Sequence, residues 1–387
     1  MLKLWLLYFI AFPFLYHETL YEVYGLRVAL FYGLVAVHCL NLSFTGLSKI
    51  QKLKPDLLDM ALGLWVSLRF VSYLALHTVL DNPPPGWLYG LDTLMLESAA
   101  YLFYLCLRLE TPNSEFFKKL GFGMIISHLA VVCLQWGWSD FSWVRELSDG
   151  RYNGSYFHPN VFAILTVAIF ALIWFDSARG CKKAQRTDYH WYALILTLIV
   201  LWLSASKNAI LGMGVLLFFR SKFRWFILIA GALFFFLFLQ LRSNVSPEET
   251  FRNKLSHSVS IRLTIFQSTL FAISQNPAGL GTGQYATRIH SYVKENLHSY
   301  FPHPKQHSLN KAHNFALEWI CESGWLMIPV LLLITWILYY CPFNHCKAAL
   351  SITALCSLGS VHLNYPEGFL LFSLLLAGMN RDFEEIS

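Results

Sequence analysis

The chain has 387 residues, of which 56% are hydrophobic and only 13% charged, with a net charge of +6. A soluble domain carries roughly 25% charged residues, so this composition excludes a soluble enzyme, a disordered chain and a nucleic-acid binder. It predicts an all-α, polytopic integral membrane protein forming a single membrane domain over residues 1–387.

At the N-terminus, Lys3 precedes an apolar run to Tyr16 that has the look of a signal peptide. The run ends Tyr16-His17-Glu18 with no small-residue cleavage site, so it is expected to stay as the first span. Apolar stretches of helical length predict about twelve spans of roughly 20 residues each. They centre near 2–16, 25–43, 57–80, 87–107, 116–136, 157–175, 189–204, 206–219, 223–241, 315–340, 346–364 and 366–380.

The charges between these stretches alternate. Lys49, Lys52 and Lys54, then Arg108, Lys118 and Lys119, then Arg179, Lys182, Lys183 and Arg186, then Arg220, Lys222 and Arg224, then Lys347 fall in every second short loop. The positive-inside rule puts those loops and both termini in the cytoplasm. The eight cysteines lie almost wholly in or beside apolar runs, which gives no disulfide framework. Cys341, His345 and Cys346 share one short turn, too few ligands to predict a metal site.

Residues 189–219 lie between two cytoplasmic basic clusters, so they cross an even number of times. Roughly 15 residues per pass reach about 23 Å, short of a roughly 30 Å hydrocarbon core. The turn Ser204-Ala205-Ser206-Lys207-Asn208 is therefore expected below the outer membrane surface. Lys207 either snorkels to headgroup phosphates or meets a bound anion there.

A long external loop, 241–312, follows the ninth stretch. It holds eight cations against three acids and no aspartate. A loop of this length is usually functional, and its charge calls for an anionic partner. An amphipathic helix is predicted near 258–274, with Ser260, Thr264, Gln267 and Ser268 on one stripe. Arg262 falls opposite, among Ile265, Phe266 and Ile273, either snorkelling or aimed at a phosphate. The run Asn276-Pro277-Ala278-Gly279-Leu280-Gly281-Thr282-Gly283 would let backbone approach a ligand closely, or form an ordinary turn.

His313 opens the tenth stretch at its external mouth, and Asn314, Glu318 and Glu322 recur every fourth residue on one face below it. Carboxylates inside a span are functional candidates, and a histidine can act as general base. The alternative is a capping histidine above a structural water pocket. Cations for a phosphate-rich donor, a base, and no aspartate for a divalent metal suit transfer of a glycan from a lipid diphosphate. The same inventory suits transport of an anionic lipid or glycan.

These residues resemble the O-antigen ligase and O-antigen polymerase superfamily of bacterial envelope enzymes. His313-Asn314, nine residues and then Gly324 are similar to its histidine motif, with Glu322 at the acidic position and Met327 where a second glycine is usual. Arg262-Leu263, Asn276-Pro277 and Gly279-Leu280-Gly281 are similar to its arginine helix and glycine turn. Tyr156-Phe157-His158-Pro159-Asn160 also looks familial, and Lys207 stands where the family has arginine.

The resemblance implies a C-type glycosyltransferase that is metal-independent, inverting and without cofactor, in the bacterial inner membrane with its site facing the periplasm. It implies His313 as the base and Arg262 and Lys207 on the diphosphate, with Asn314, Glu322, Gly279, Gly281 and Asn160 in the substrate site. The implied donor is a glycan on undecaprenyl diphosphate and the implied acceptor a lipid A-core. The alternative is a polymerase that lengthens a growing glycan; a transporter of lipid-linked glycans stands behind both.

Overall fold

The computed structural model describes residues 1–15, 25–46, 55–79, 87–137, 159–176, 188–204, 206–220, 262–292, 312, 314–341, 345–357 and 366–379. All regular structure among them is helical, with no strand. The helices are α1 (Leu2–Ala11), α2 (Gly25–Thr45), α3 (Leu57–Val79), α4 (Trp87–Glu110), α5 (Ser114–Gly137), α6 (Pro159–Asp176), α7 (Asp188–Ser204) and α8 (Lys207–Arg220). They continue with α9 (262–275), α10 (Phe315–Ser323), α11 (Met327–Tyr340), α12 (His345–Ser357) and α13 (Pro366–Met379). A short helical turn, Tyr285–Tyr292, lies between α9 and α10.

Four of these, α2 to α5, are long and apolar enough to cross a membrane. The other apolar helices, such as Asn160–Trp174 and Met327–Tyr340, run 10–17 residues. The stretch expected near 223–241 lies outside the described residues, as do 241–261 and 293–311 of the long loop.

One expectation is corrected. The span anticipated over 315–340 is two helices, broken where Gly324 takes a φ of 77°. The stretch was long enough for one span, and the partner that holds the break open lies elsewhere in the chain. Trp325 N–H leaves the helical ladder and donates to the Pro277 carbonyl at 2.9 Å.

α6 is the axis of the fold. From Val161 to Ile173 every side chain is buried, and the helix packs on α5, α7, α8, α12 and α13. A helix apolar on all sides belongs in such a position. Its one polar interior side chain, Thr166, donates to Phe162 O and meets His128 Nδ1, both at 2.8 Å. Aromatic packing joins α1, α2 and α4, with Trp5 centred 4.4 Å from Phe103 and donating to His38 Nδ1 at 2.9 Å.

α3 and α4 are pinned together at two heights. At the start of α3, Asp56 and Asp59 cap each other's amides at 2.8 and 2.9 Å, a reciprocal box that fixes the first turn. Arg108 of α4 pairs with both carboxylates, and Tyr104 O–H donates to Asp59 Oδ1 at 3.0 Å. Further along, Arg69 meets Glu97, and there the candidate site is built.

Candidate functional site

Arg69 and Glu97 sit inside apolar stretches, Leu57–Ala75 and Gly90–Glu110. Arg69 is about six residues from the end of its stretch, roughly 9 Å along the axis. An ionisable pair at that depth needs partners, and it has them. Arg69 Nε donates to Glu97 Oε1 at 3.1 Å and Oε2 at 3.0 Å. Its Nη1 lies 2.8 Å from Glu322 Oε2 and donates to Ser323 Oγ at 3.2 Å. Arg69 is 1% exposed and Glu322 4%, so this is an enclosed ion cluster of one guanidinium and two carboxylates.

α10 ends at this cluster, and its last carbonyls would be orphaned by the break at Gly324. The glycine turn supplies the missing donors. Leu280 N–H donates to Cys321 O at 2.8 Å and Gly281 N–H to Glu322 O at 2.9 Å; Ser72 of α3 adds its hydroxyl to Glu322 O at 2.7 Å. Such contact leaves no room for side chains. A Cβ on Gly279 would lie 2.3 Å from Glu322 O, and one on Gly324 2.4 Å from Pro277 O. Gly279, with φ of 92°, also adopts a backbone that side chains disfavour. The close approach these glycines permit is thus to the end of α10.

The turn is held from other sides too. Thr282 donates its hydroxyl to Arg69 O at 2.7 Å, and Arg288 Nη1 donates to Leu280 O at 2.9 Å. Asn276 Nδ2 donates to Ala272 O at 3.0 Å and to Tyr292 Oη at 2.7 Å. Glu322 Oε1 accepts the Tyr285 amide at 3.1 Å. Burial raises the Tyr285 phenol well above its ordinary pKa, so it stays protonated and able to donate. It pairs with Thr269 Oγ1 of α9 at 2.7 Å.

α9 turns inward a face that mixes polar and apolar residues. Thr264, Ser268 and Thr269 are buried with Ile265 and Ala272, whereas Leu263, Leu270 and Phe271 are exposed. Gln267 of the expected stripe is exposed as well, and the tie to Tyr285 is made by Thr269, which lies off that stripe on the side of Arg262. Arg262, in the first turn, is half-buried, and desolvation lowers its pKa from the usual arginine value. With a reference so high, it remains a cation.

At the other end of α10, Asn314 is the N-cap, its side-chain oxygen accepting Leu317 N–H at 3.1 Å. Glu318 reaches back to accept Ala312 N–H at 2.8 Å. Position 313 lies between these two tethers; His313 itself is outside the described residues. Beside Phe315 begins an apolar cavity of about 340 Å³, walled by Leu62, Trp65, Trp319, Ile334 and Phe372.

The fold therefore gathers Gly279, Gly281, Glu322 and Asn314 on one helix and the turn clasped to it, with Arg262 on the helix leading in. The Glu322 carboxylate is engaged by Arg69 and the Tyr285 amide, and the Asn314 side chain by its own helix. Asn160 is the second residue of α6 and Lys207 the first of α8, two helices packed against each other. Nothing is described of the Lys207 side chain. Among the described residues, no three of His, Cys, Asp or Glu are grouped to hold a metal.

Sequence reasoning missed Arg69, Glu97, Thr282 and Tyr285. The first two carried a usable signal, since each is ionisable inside a predicted span. Thr282 and Tyr285 had none beyond their nearness to the glycines.

Residues 192–332 match the family model described as O-antigen ligase. That stretch takes in Lys207, Arg262, Gly279, Gly281, His313, Asn314 and Glu322, and leaves Asn160 outside it. It indicates O-antigen ligase- or polymerase-type transfer in lipopolysaccharide biosynthesis, and the long apolar helices suit an integral membrane protein. No curated protein and no solved structure matches the chain.

Proposed function

We propose, from the O-antigen ligase match as premise, that the chain is an inverting, metal-independent glycosyltransferase of the inner membrane. It moves a glycan from undecaprenyl diphosphate to a lipid A-core acceptor at the periplasmic face. The observation that carries this reading is the clasp. The arginine helix, the glycine turn and α10, all within residues 192–332, fold onto one another as a unit, the turn clasped to the end of α10.

In this reading His313 takes the proton of the acceptor hydroxyl, whose oxygen attacks the anomeric carbon. The bond from that carbon to the diphosphate oxygen breaks, and negative charge grows on the departing diphosphate. Arg262 and Lys207 stabilise that charge, which is the main catalytic contribution. A lysine in the first turn of α8 opposes the helix dipole unless an anion lies there too. Ser206 is already buried at that end and accepts Ala209 N–H at 3.4 Å. The apolar cavity beside Phe315 has the chemistry to receive part of an isoprenoid tail.

The sister activity uses the same steps with a growing glycan as acceptor. Incubating the purified chain with glycan on undecaprenyl diphosphate, lipid A-core and a chelator separates them. Lipid A-core bearing the glycan, with inverted anomeric configuration, is the expected product. Longer glycan on the carrier instead would make the chain a polymerase, and no new glycosidic bond would favour a transporter.

A further inference from the structure

Four side chains link the ion cluster to the helix that bears Arg262. Arg69 Nη1 lies 2.8 Å from Glu322 Oε2, and Glu322 Oε1 accepts the Tyr285 amide at 3.1 Å. The Tyr285 hydroxyl meets Thr269 Oγ1 at 2.7 Å. Thr269 follows Arg262 by seven residues on α9, which returns to about 20° of the same face. A tie at Thr269 therefore fixes the side of α9 from which the Arg262 guanidinium projects.

The cluster is an unusual choice of anchor. Ions are costly to remove from water, and well-packed hydrocarbon would hold the same helices together as firmly. Ions add direction. Glu97 holds Arg69 through both carboxylate oxygens, leaving Nη1 aimed at α10. Glu322 then offers one oxygen to Arg69 and the other to Tyr285, so α3 sets the register of the turn against α10. Thr282, donating to Arg69 O at 2.7 Å, repeats the setting from the turn's own side.

We propose that Arg69 and Glu322 are positioning residues for Arg262: through Tyr285 and Thr269 they set where its guanidinium meets the donor diphosphate. The inference rests on the transferase reading above, in which Arg262 grips that group. Glu322 then acts on the donor without touching it.

Binding of undecaprenyl diphosphate to the purified full chain in detergent tests this apart from turnover. The variants are Arg262→Ala, Glu322→Gln, Tyr285→Phe, and Arg262→Ala combined with each of the other two. Glu322→Gln keeps the size and the acceptor for Tyr285, and Tyr285→Phe disturbs no buried charge. Each should weaken binding, Glu322→Gln by roughly 10- to 100-fold, the scale felt when the group behind a ligand contact is lost. Neither should add to the loss already present in Arg262→Ala, because both act through that side chain. Unchanged binding in Glu322→Gln and Tyr285→Phe beside a weakened Arg262→Ala would overturn the inference and leave the transferase reading standing. Losses that add fully in the combined variants would overturn it as well. Full binding in Arg262→Ala would remove the premise, and the inference with it.

Discussion

Gly279 and Gly324 face each other where the glycine turn meets the end of α10: a Cβ on the first would lie 2.6 Å from Gly324 N, and one on the second 2.6 Å from the Ala278 carbonyl carbon. Both have positive φ. Gly279→Ala and Gly324→Ala should each therefore destabilise the protein by about 2–4 kcal/mol, from backbone strain and overlap together. Thermal unfolding in detergent reads the effect. A wild-type transition in either variant would mean that the turn does not dock on α10 as described.

Arg69→Met leaves two buried carboxylates, Glu97 and Glu322, without their shared counter-charge. Breaking a buried ion cluster in this way costs about 3–5 kcal/mol. The triple variant Arg69→Met, Glu97→Gln, Glu322→Gln should recover most of that stability, since no charge is stranded. Equal losses in the single and triple variants would assign the cost to packing instead.

Glu318 tethers the backbone just before His313 by accepting the Ala312 amide. Glu318→Gln should lower kcat about tenfold, as removal of a supporting partner does, with undecaprenyl diphosphate binding unchanged. Steady-state rates beside a binding measurement check the split. A loss of binding at constant kcat would place Glu318 on the donor rather than behind the base.

Lys207 begins α8, where a cation is unfavourable without an anion to meet it. Lys207→Arg should retain transfer, and Lys207→Ala should lose on the order of 100-fold in kcat, comparable with removing one donor from a developing anion. Full activity in the alanine variant would reduce Lys207 to a snorkelling residue.

The helical class was legible because apolar runs of span length alternate with polar ones. The break at Gly324 was not. Residues 315–340 read as one span despite Glu318, Glu322 and Gly324, and the donors that cap the break arrive from the Leu280 and Gly281 amides. Glu322 was visible as a carboxylate inside a span, but its partner Arg69 lies on α3, far away in sequence. No pattern within either helix joins them. The polar stripe of α9 was only a partial guide to its buried face: Thr264 and Ser268 are buried and Gln267 exposed, and Thr269, off the stripe, makes the tie to Tyr285. Asn314, read as a substrate-site residue, also caps α10 through its side-chain oxygen, a local role its position before the helix allowed.

In the proposed reaction this chain joins a finished glycan to lipid A-core with His313 as base. A lipopolysaccharide gel from the host, comparing wild type with a normally expressed His313→Ala variant, tests it most directly. Loss of the whole capped ladder is expected, with long glycan accumulating on the undecaprenyl carrier. Collapse to core plus one unit would point to polymerisation, and an unchanged ladder would contradict both the base and the ligase.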